Sequence, residues 1–349
     1  MIQRTELPEM TFLENDFQLC HVDEKLDIDR NFSSQGYWKE AWVRFCKNRL
    51  AVFALIAVIA IVILALTGPA FSGYSVTEQD VTRQNMAPRI PGLEKLGIFD
   101  GTETLNKSTG AVTYNKYQEN DLEDVYYWFG SDSLGRDIWT RVWSGTQVSL
   151  LVAFVAVTID LAIGLSYGLT SGYFGGKVDM MMQRIVEIIN SIPTLVTVTL
   201  LMLVMKPGLI TIILALGFTG WVGMSRIARA EMLKLKESEY VLASKTLGAK
   251  ARFIIFKEIF PNMIGPVITN TMFSIPNAIF MEAYLSFIGL GIPVPLASLG
   301  SLISDAYKQF TTHPYQIVWP VVVLSILMLC FNIMADGLRE ALDPKMKEM

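Results

Sequence analysis

The sequence predicts an all-α integral membrane protein of about six transmembrane helices, with an extended extracytoplasmic loop between the first two. Three observations predict it. Hydrophobic residues make up 52% of the chain and charged residues only 18%, whereas soluble domains carry about a quarter charged residues. Six segments are apolar over enough length to cross about 30 Å of hydrocarbon: Leu50–Thr67, Val148–Ser171, Met180–Met205, Leu209–Ser225, Met263–Leu290 and Gln316–Asp336. Lys and Arg concentrate in the short loops on one side of these spans, which the positive-inside rule assigns to the cytoplasm.

Residues 1–36 are polar, acidic and aperiodic, and read as a flexible cytoplasmic tail. Over 37–68, Trp38, Trp42 and Phe45 recur at helical spacing with Lys39, Arg44 and Lys47 on other faces. That pattern predicts an interfacial helix lying on membrane lipid, followed by the first span. About fifty polar residues precede this span, too many for the n-region of a cleaved signal, so the span is expected to remain as an anchor.

The loop 69–146 is too long to be a plain connector and is expected to form a small extracytoplasmic domain. Turn-forming residues around Gly110-Ala111-Val112-Thr113-Tyr114 suggest a hairpin within it. The loop ends in FGSDSLGRDIWTRVWSGTQVSL, Phe129–Leu150. Its glycines have a superficial phosphate-loop spacing, but Arg136 stands where the phosphate-binding Lys belongs and Asp137 where the Ser or Thr belongs, so we assign no nucleotide site. It reads instead as a capped turn, with Asp132 or Ser133 at a helix start and Arg136 pairing with Asp137.

The transmembrane core is 147–338, and 339–349 forms a cytoplasmic C-terminal tail. Within the core, the loop 226–262 carries Arg226, Arg229, Lys234, Lys236, Lys245, Lys250, Arg252 and Lys257, whereas 206–208 and 291–315 have only Lys206 and Lys308. Both termini are therefore expected inside. The stretch EYVLASKTLGAKARFIIFKEIFPN, Glu239–Asn262, predicts a short helix ended at Gly248 and a second helix interrupted by Pro261.

Ionisable residues inside spans are costly and are functional candidates. Asp160 in the second span, and Glu282 with Ser286 four residues later in the fifth, are candidate pathway or partner-chain contacts, a structural hydrogen bond being the equal alternative for Glu282. Arg184 and Glu187 are spaced for a local ion pair, and Asn270, Asn277 and Asn332 for interhelical hydrogen bonds. The three cysteines, Cys20, Cys46 and Cys330, predict no disulfide framework. His21 and His313 fall on opposite sides of the membrane, so no metal cluster or catalytic constellation can be built from them. The chain reads as a non-enzyme without a nucleic-acid partner.

Residues Glu239–Asn262 resemble the EAA loop of the inner-membrane permeases of ABC importers: small residues, a Gly, then about a dozen residues to a hydrophobic-Pro-Asn. Leu242, Ala243 and Ser244 occupy the Glu-Ala-Ala positions, while Gly248, Pro261 and Asn262 match. RFCKNRLAVFAL, the 129–150 block, SGYFGGKVDMMMQRIVEIINSIP (Ser171–Pro193) and EAYLSFIGLGIPVPLASLGSLISDA (Glu282–Ala306) resemble the C-type permeases of oligopeptide and dipeptide importers. The resemblance covers roughly 40–68 and 128–345.

It implies the type I ABC importer permease fold in the cytoplasmic membrane. It also implies a second, homologous permease subunit, two ATPase subunits carrying ATP and Mg, an extracytoplasmic peptide-binding protein and a peptide cargo. ATPase coupling would fall on Glu239, Tyr240, Ala243, Ser244, Lys245, Gly248 and Pro261, with no cofactor on this chain. A dipeptide or nickel importer remains open as cargo class. An intramembrane protease using Asp160 and an ion-driven secondary transporter are the readings from other classes; no paired acidic motif and no inverted repeat of broken helices is evident for them.

Overall fold

The computed structural model describes residues 36–107, 110–122 and 124–342. The tail expected over 1–36 and most of that over 339–349 lie outside the described residues. By its contacts the chain divides after Glu40. The described part of the first unit is the opening turn at Gly36–Glu40, where the Lys39 and Glu40 amides donate to the Gly36 carbonyl.

Helix α1 spans Tyr37–Lys47, and Asn48 separates it from α2, Arg49–Ser72. Asn48 has extended backbone angles, and its side chain accepts from the Ala51 amide, so the break is a capped helix start. Along α2, Ala51, Ala54, Val58, Ile61 and Ala65 face the core, while Leu50, Phe53, Ile56 and Ile63 are exposed. An apolar residue is equally at home against lipid, so this helix needs no polar face.

Residues 73–137 form a small domain around buried Met86, Tyr117 and Tyr127. The expected hairpin is present as β1 (Thr102–Lys107) and β2 (Gly110–Asn115), antiparallel with Thr104 opposite Thr113, and leads into the short α3, Lys116–Glu119. Three ties hold the domain on the spans. Glu103 meets His313 Nδ1 at 2.9 Å, Gln316 Nε2 donates to Asn85 Oδ1 and the Ser131 carbonyl, and Phe129 stacks on Trp319 with ring centroids 4.0 Å apart.

The turn before the second span is capped differently from expectation. Asp132 Oδ1 accepts from the Leu134 and Arg136 amides, and Arg136 Nε donates to Asp132 Oδ2 at 2.6 Å, so Arg136 pairs with Asp132 and not with Asp137. Asp137 is itself the N-cap of α4, Ile138–Phe174, accepting from the Thr140 amide. The positive φ of Gly130 and Gly135 (83° and 73°) folds the segment tightly enough to bring Asp132 over Arg136.

Beyond α4 come α5 (Gly176–Ser191), α6 (Thr194–Met205) and α7 (Leu209–Leu235). The third span breaks at Pro193, as the sequence indicates, and α6 leaves α5 at 81°. Next are α8 (Glu239–Thr246), α9 (Ala251–Phe253), a π-helical segment Ile254–Ile259, and α10 (Phe260–Leu285) with a second π segment, Ser286–Leu290. Helices α11 (Leu299–Tyr307) and α12 (Tyr315–Leu342) finish the described chain. Five of these helical runs are long and apolar enough to cross a membrane, and six if α5 and α6 count as one span.

The central packing is α4 on α7, and it depends on missing side chains. A Cβ on Gly164 would fall 2.6 Å from the Trp221 carbonyl oxygen, on Gly172 2.8 Å from the Met232 Cβ, and on Gly168 into the Ser225 carbonyl. These glycines recur every four residues on one face of α4, which lets two backbones approach closely where lipid gives no hydrophobic drive to association. α12 packs between α2 and α10, with Gly337 against Ala51.

Candidate functional site

Two places carry the sequence-predicted site residues. The first is the loop between α7 and α10. Helix α8 starts after Ser238, whose carbonyl accepts from the Val241 and Leu242 amides. It ends in a paired carbonyl-capping motif: the Gly248 amide donates to the Lys245 carbonyl and the Ala249 amide reaches back to Ser244. Gly248 sits at φ +81°, a left-handed conformation that a side chain would strain.

One side chain of α8 is buried in the protein. Val241 is fully buried among Leu169 of α4, Met224, Ala228 and Met232 of α7, and Ile254, Ile259 and Met263. Burying one Val is worth roughly 1.5–3 kcal/mol, enough to seat a short helix that could not form alone. Glu239, Tyr240, Ala243, Lys245 and Gly248 are exposed, Ser244 is half-buried, and Leu247 is 88% exposed. A cation–π contact from Lys245 to Tyr173 and a hydrogen bond from Asn262 Nδ2 to the Tyr240 hydroxyl flank the helix.

Pro261 does not interrupt the second helix. It follows Phe260, just after the π segment Ile254–Ile259, inside a helical run rather than at its end. The preceding π segment shifts the hydrogen bonds, the Phe260 amide donating to Ile255, so one helical run continues from Ala251 to Leu290. The second half of the loop, from Ala251, is therefore continuous with the fifth span, and α8 is a separate helix seated beside it.

Two further ties join the loop's base to α4 and α5. Arg229 of α7 makes a two-pronged ion pair with Asp179 of α5, both contacts at 2.6 Å, and Lys236 Nζ donates to the Gly172 carbonyl at 2.9 Å. Sequence reading missed Asp179 and took Arg229 only as part of the loop's charge. The glycine spacing along α4 was a legible signal of a close helix contact, without naming α7 as the partner.

The second place is a cavity of about 500 Å³ lined by α4, α7, α10 and the α5–α6 break. Asp160 is its single ionisable lining residue, among Asn190, Thr194, Thr219, Asn270, Ser274 and Asn277. Asp160 packs on the bare Cα of Gly220, and its Oδ1 is buried without a hydrogen-bond partner.

Glu282 and Ser286 are elsewhere, which corrects their grouping with Asp160. Glu282 is wholly buried, accepting from Ser149 Oγ at 2.8 Å and Ser286 Oγ at 2.7 Å, and Ser298 Oγ extends the network to the N-cap of α11. The carboxylate ties α4, α10 and α11 together and faces no open path. Arg184 and Glu187 form the expected exposed ion pair at 2.6 Å. Of the asparagines, Asn270 reaches α7 by a long contact of 3.9 Å to Met224 Sδ, Asn277 lines the cavity, and Asn332 makes no interhelical bond among the described residues.

Residues 164–348 match the model of the binding-protein-dependent transport system inner membrane component, and residues 36–88 match the N-terminal transmembrane domain of oligopeptide transport permease C. The chain belongs to the binding-protein-dependent inner-membrane permease family. It is 39% identical to the oligopeptide transport system permease OppC of Bacillus subtilis (strain 168) over 90% of this chain and 92% of that protein. It is 40% identical to that organism's dipeptide permease DppC over 99% and 96%. With Escherichia coli (strain K12) OppC the identity is 34% over 95% and 98%.

A solved inward-facing structure of the MetNI methionine ABC transporter superposes with a TM-score of 0.50 at 19% identity, covering 58% of this chain and 96% of that one. This likeness shows the fold of the type I importer permeases. The permease family is thus carried here by a multi-pass membrane chain with the expected helical core.

Proposed function

We propose that this chain is one permease half of an ATP-driven importer of peptides, and that α8 is where the driving force enters. The observation that carries the coupling is the seating of α8: an exposed helix, pinned by Val241, ended at Gly248 and joined by a short turn to the helical run from Ala251 to Leu290. A push on α8 transmits to Met224 and Met232 of α7 and to Met263 of α10, because packed cores shift as units rather than deform.

The ATPases and their Mg-ATP are separate chains docking on Glu239, Tyr240, Ala243, Lys245 and Gly248. A homologous second permease completes the pore, and a binding protein delivers peptide from outside. Both termini lie in the cytoplasm. Peptide cargo rests on the oligopeptide and dipeptide permeases among the relatives, and the similar identity to both supports short peptides as a class rather than one length.

The test is reconstitution of the complete complex in vesicles. Labelled peptide should accumulate only with ATP and binding protein, and dipeptide against pentapeptide competition reads the length preference. Uptake by this chain alone, driven by an ion gradient, would overturn the reading.

A further inference from the structure

The cavity around Asp160 contains a chemical asymmetry. Its polar lining is otherwise made of amides and hydroxyls (Asn190, Thr194, Thr219, Asn270, Ser274 and Asn277), groups that hydrogen-bond to any peptide backbone without reading its sequence. Asp160 alone adds charge. No Lys, Arg or His pairs with it among the described residues, and one of its oxygens is buried and unpartnered. An ionised carboxylate so placed between spans is costly and calls for a cation.

The α5–α6 break brings two opposite helix ends to the cavity, Asn190 and Ile192 from the C-terminal end of α5 and Thr194 from the N-terminal end of α6. Their partial charges oppose each other, so the demand for a positive group comes from the Asp160 carboxylate. Gly220 gives Asp160 its room: a Cβ there would press on both carboxylate oxygens. The volume of about 500 Å³ lies within the ~300–1,000 Å³ of small-ligand sites.

We propose that this cavity receives the free α-ammonium group of the cargo peptide at Asp160, while the amide and hydroxyl lining holds the adjoining backbone. The proposal rests on the peptide-import reading and deepens it. A terminal ammonium is common to peptides of every sequence, so one carboxylate recognises a cargo class without selecting side chains.

The test uses the purified full complex in lipid nanodiscs without binding protein, so that the binding protein's own preference does not enter. The probes are trialanine, N-acetyl-trialanine and N-acetyl-Ala-Lys-Ala-amide, with binding read by competition against labelled trialanine. The wild type should bind trialanine at least about tenfold more tightly than its acetylated form. Asp160→Asn should reduce that ratio to within about twofold, and Asp160→Glu should restore part of it. Gly220→Ala, which crowds the carboxylate and leaves its charge, should also reduce the ratio.

An unchanged ratio in Asp160→Asn overturns the proposal while leaving the transport function intact. Binding of the acetylated lysine peptide as tight as trialanine, lost in Asp160→Asn, reassigns the site to side-chain cations and overturns the terminal assignment. Loss of the second permease from Asp160→Asn complexes that Asp160→Glu retains makes Asp160 an interface residue, and also overturns it. Failure of the wild-type complex to bind or import any peptide removes the import reading itself.

Discussion

Arg229 and Asp179, fifty positions apart in the chain, face each other with both guanidinium contacts at 2.6 Å, clamping the C-terminal part of α7 to α5. Ser171 donates to the same carboxylate, so the ends of three helices meet at one Asp. The clamp sits at the base of the loop that carries α8. Its geometry is that of a planar fork on a carboxylate, which a point charge does not reproduce.

Arg229→Ala is expected to lower the stability of the purified complex by roughly 1–2 kcal/mol, the lower part of the range for charged hydrogen bonds because the pair is partly exposed. Arg229→Lys should recover only part of that. Thermal unfolding in detergent measures both, and equal melting temperatures for wild type and Arg229→Ala would show that the clamp carries no load.

The α4–α7 contact predicts a contrast between two glycines. Gly168→Ala places a methyl into the Ser225 carbonyl and 2.7 Å from the Ala228 Cβ, whereas a Cβ on Gly223 meets nothing within 4 Å. Overpacking of this kind costs roughly 1–3 kcal/mol. Gly168→Ala should therefore melt lower than wild type, and Gly223→Ala within measurement error of it, in the same thermal assay.

Asp137 predicts an effect of pH. Burial pushes its carboxyl above the usual range, against hydrogen bonds from Thr140 that pull it down. A carboxyl raised in the folded state holds its proton more tightly there than in the unfolded chain. Its ionisation therefore subtracts from stability above the folded pKa, and the loss is recovered as pH falls through that value toward the unfolded value of about 3.9. Asp137→Asn keeps a capping oxygen without the charge, so it should match or exceed wild-type stability at pH 7 and lose this component of the pH dependence. Asp137→Ala, lacking the cap, should lose about 1 kcal/mol at pH 7. Melting temperatures between pH 4.5 and 7 separate the three proteins.

How far the sequence disclosed this depended on whether a feature was local. The apolar runs placed five spans and the bent α5–α6 pair, because length against bilayer thickness is a one-dimensional property. Gly248 marked the end of α8 for a similar reason: the left-handed turn is set by that residue's own backbone. IIFKEIFPN misled, since nothing in its composition separates a π turn that absorbs Pro261 from a helix that Pro261 breaks.

For Glu282 the sequence left a pathway contact and a structural hydrogen bond side by side. Its partner Ser149 is 133 positions away, and only the folded chain shows that the carboxylate is satisfied internally. For Asp160 the sequence showed the cost of the charge, whereas the cavity and the absent partner needed three dimensions. The every-fourth glycines of α4 were visible, but their partner surface on α7 was not.

The most direct test of the account concerns Gly248, whose φ of +81° fixes the end of α8. In the reconstituted complex, ATP hydrolysis and peptide uptake are measured together for wild type, Gly248→Asn and Gly248→Val. Asn tolerates the left-handed conformation and a β-branched Val does not. The account predicts near-normal uptake per ATP for Gly248→Asn, and for Gly248→Val an uptake per ATP at least about tenfold lower in a complex that still assembles and hydrolyses ATP. Wild-type uptake per ATP in Gly248→Val would contradict the claim that force enters through α8.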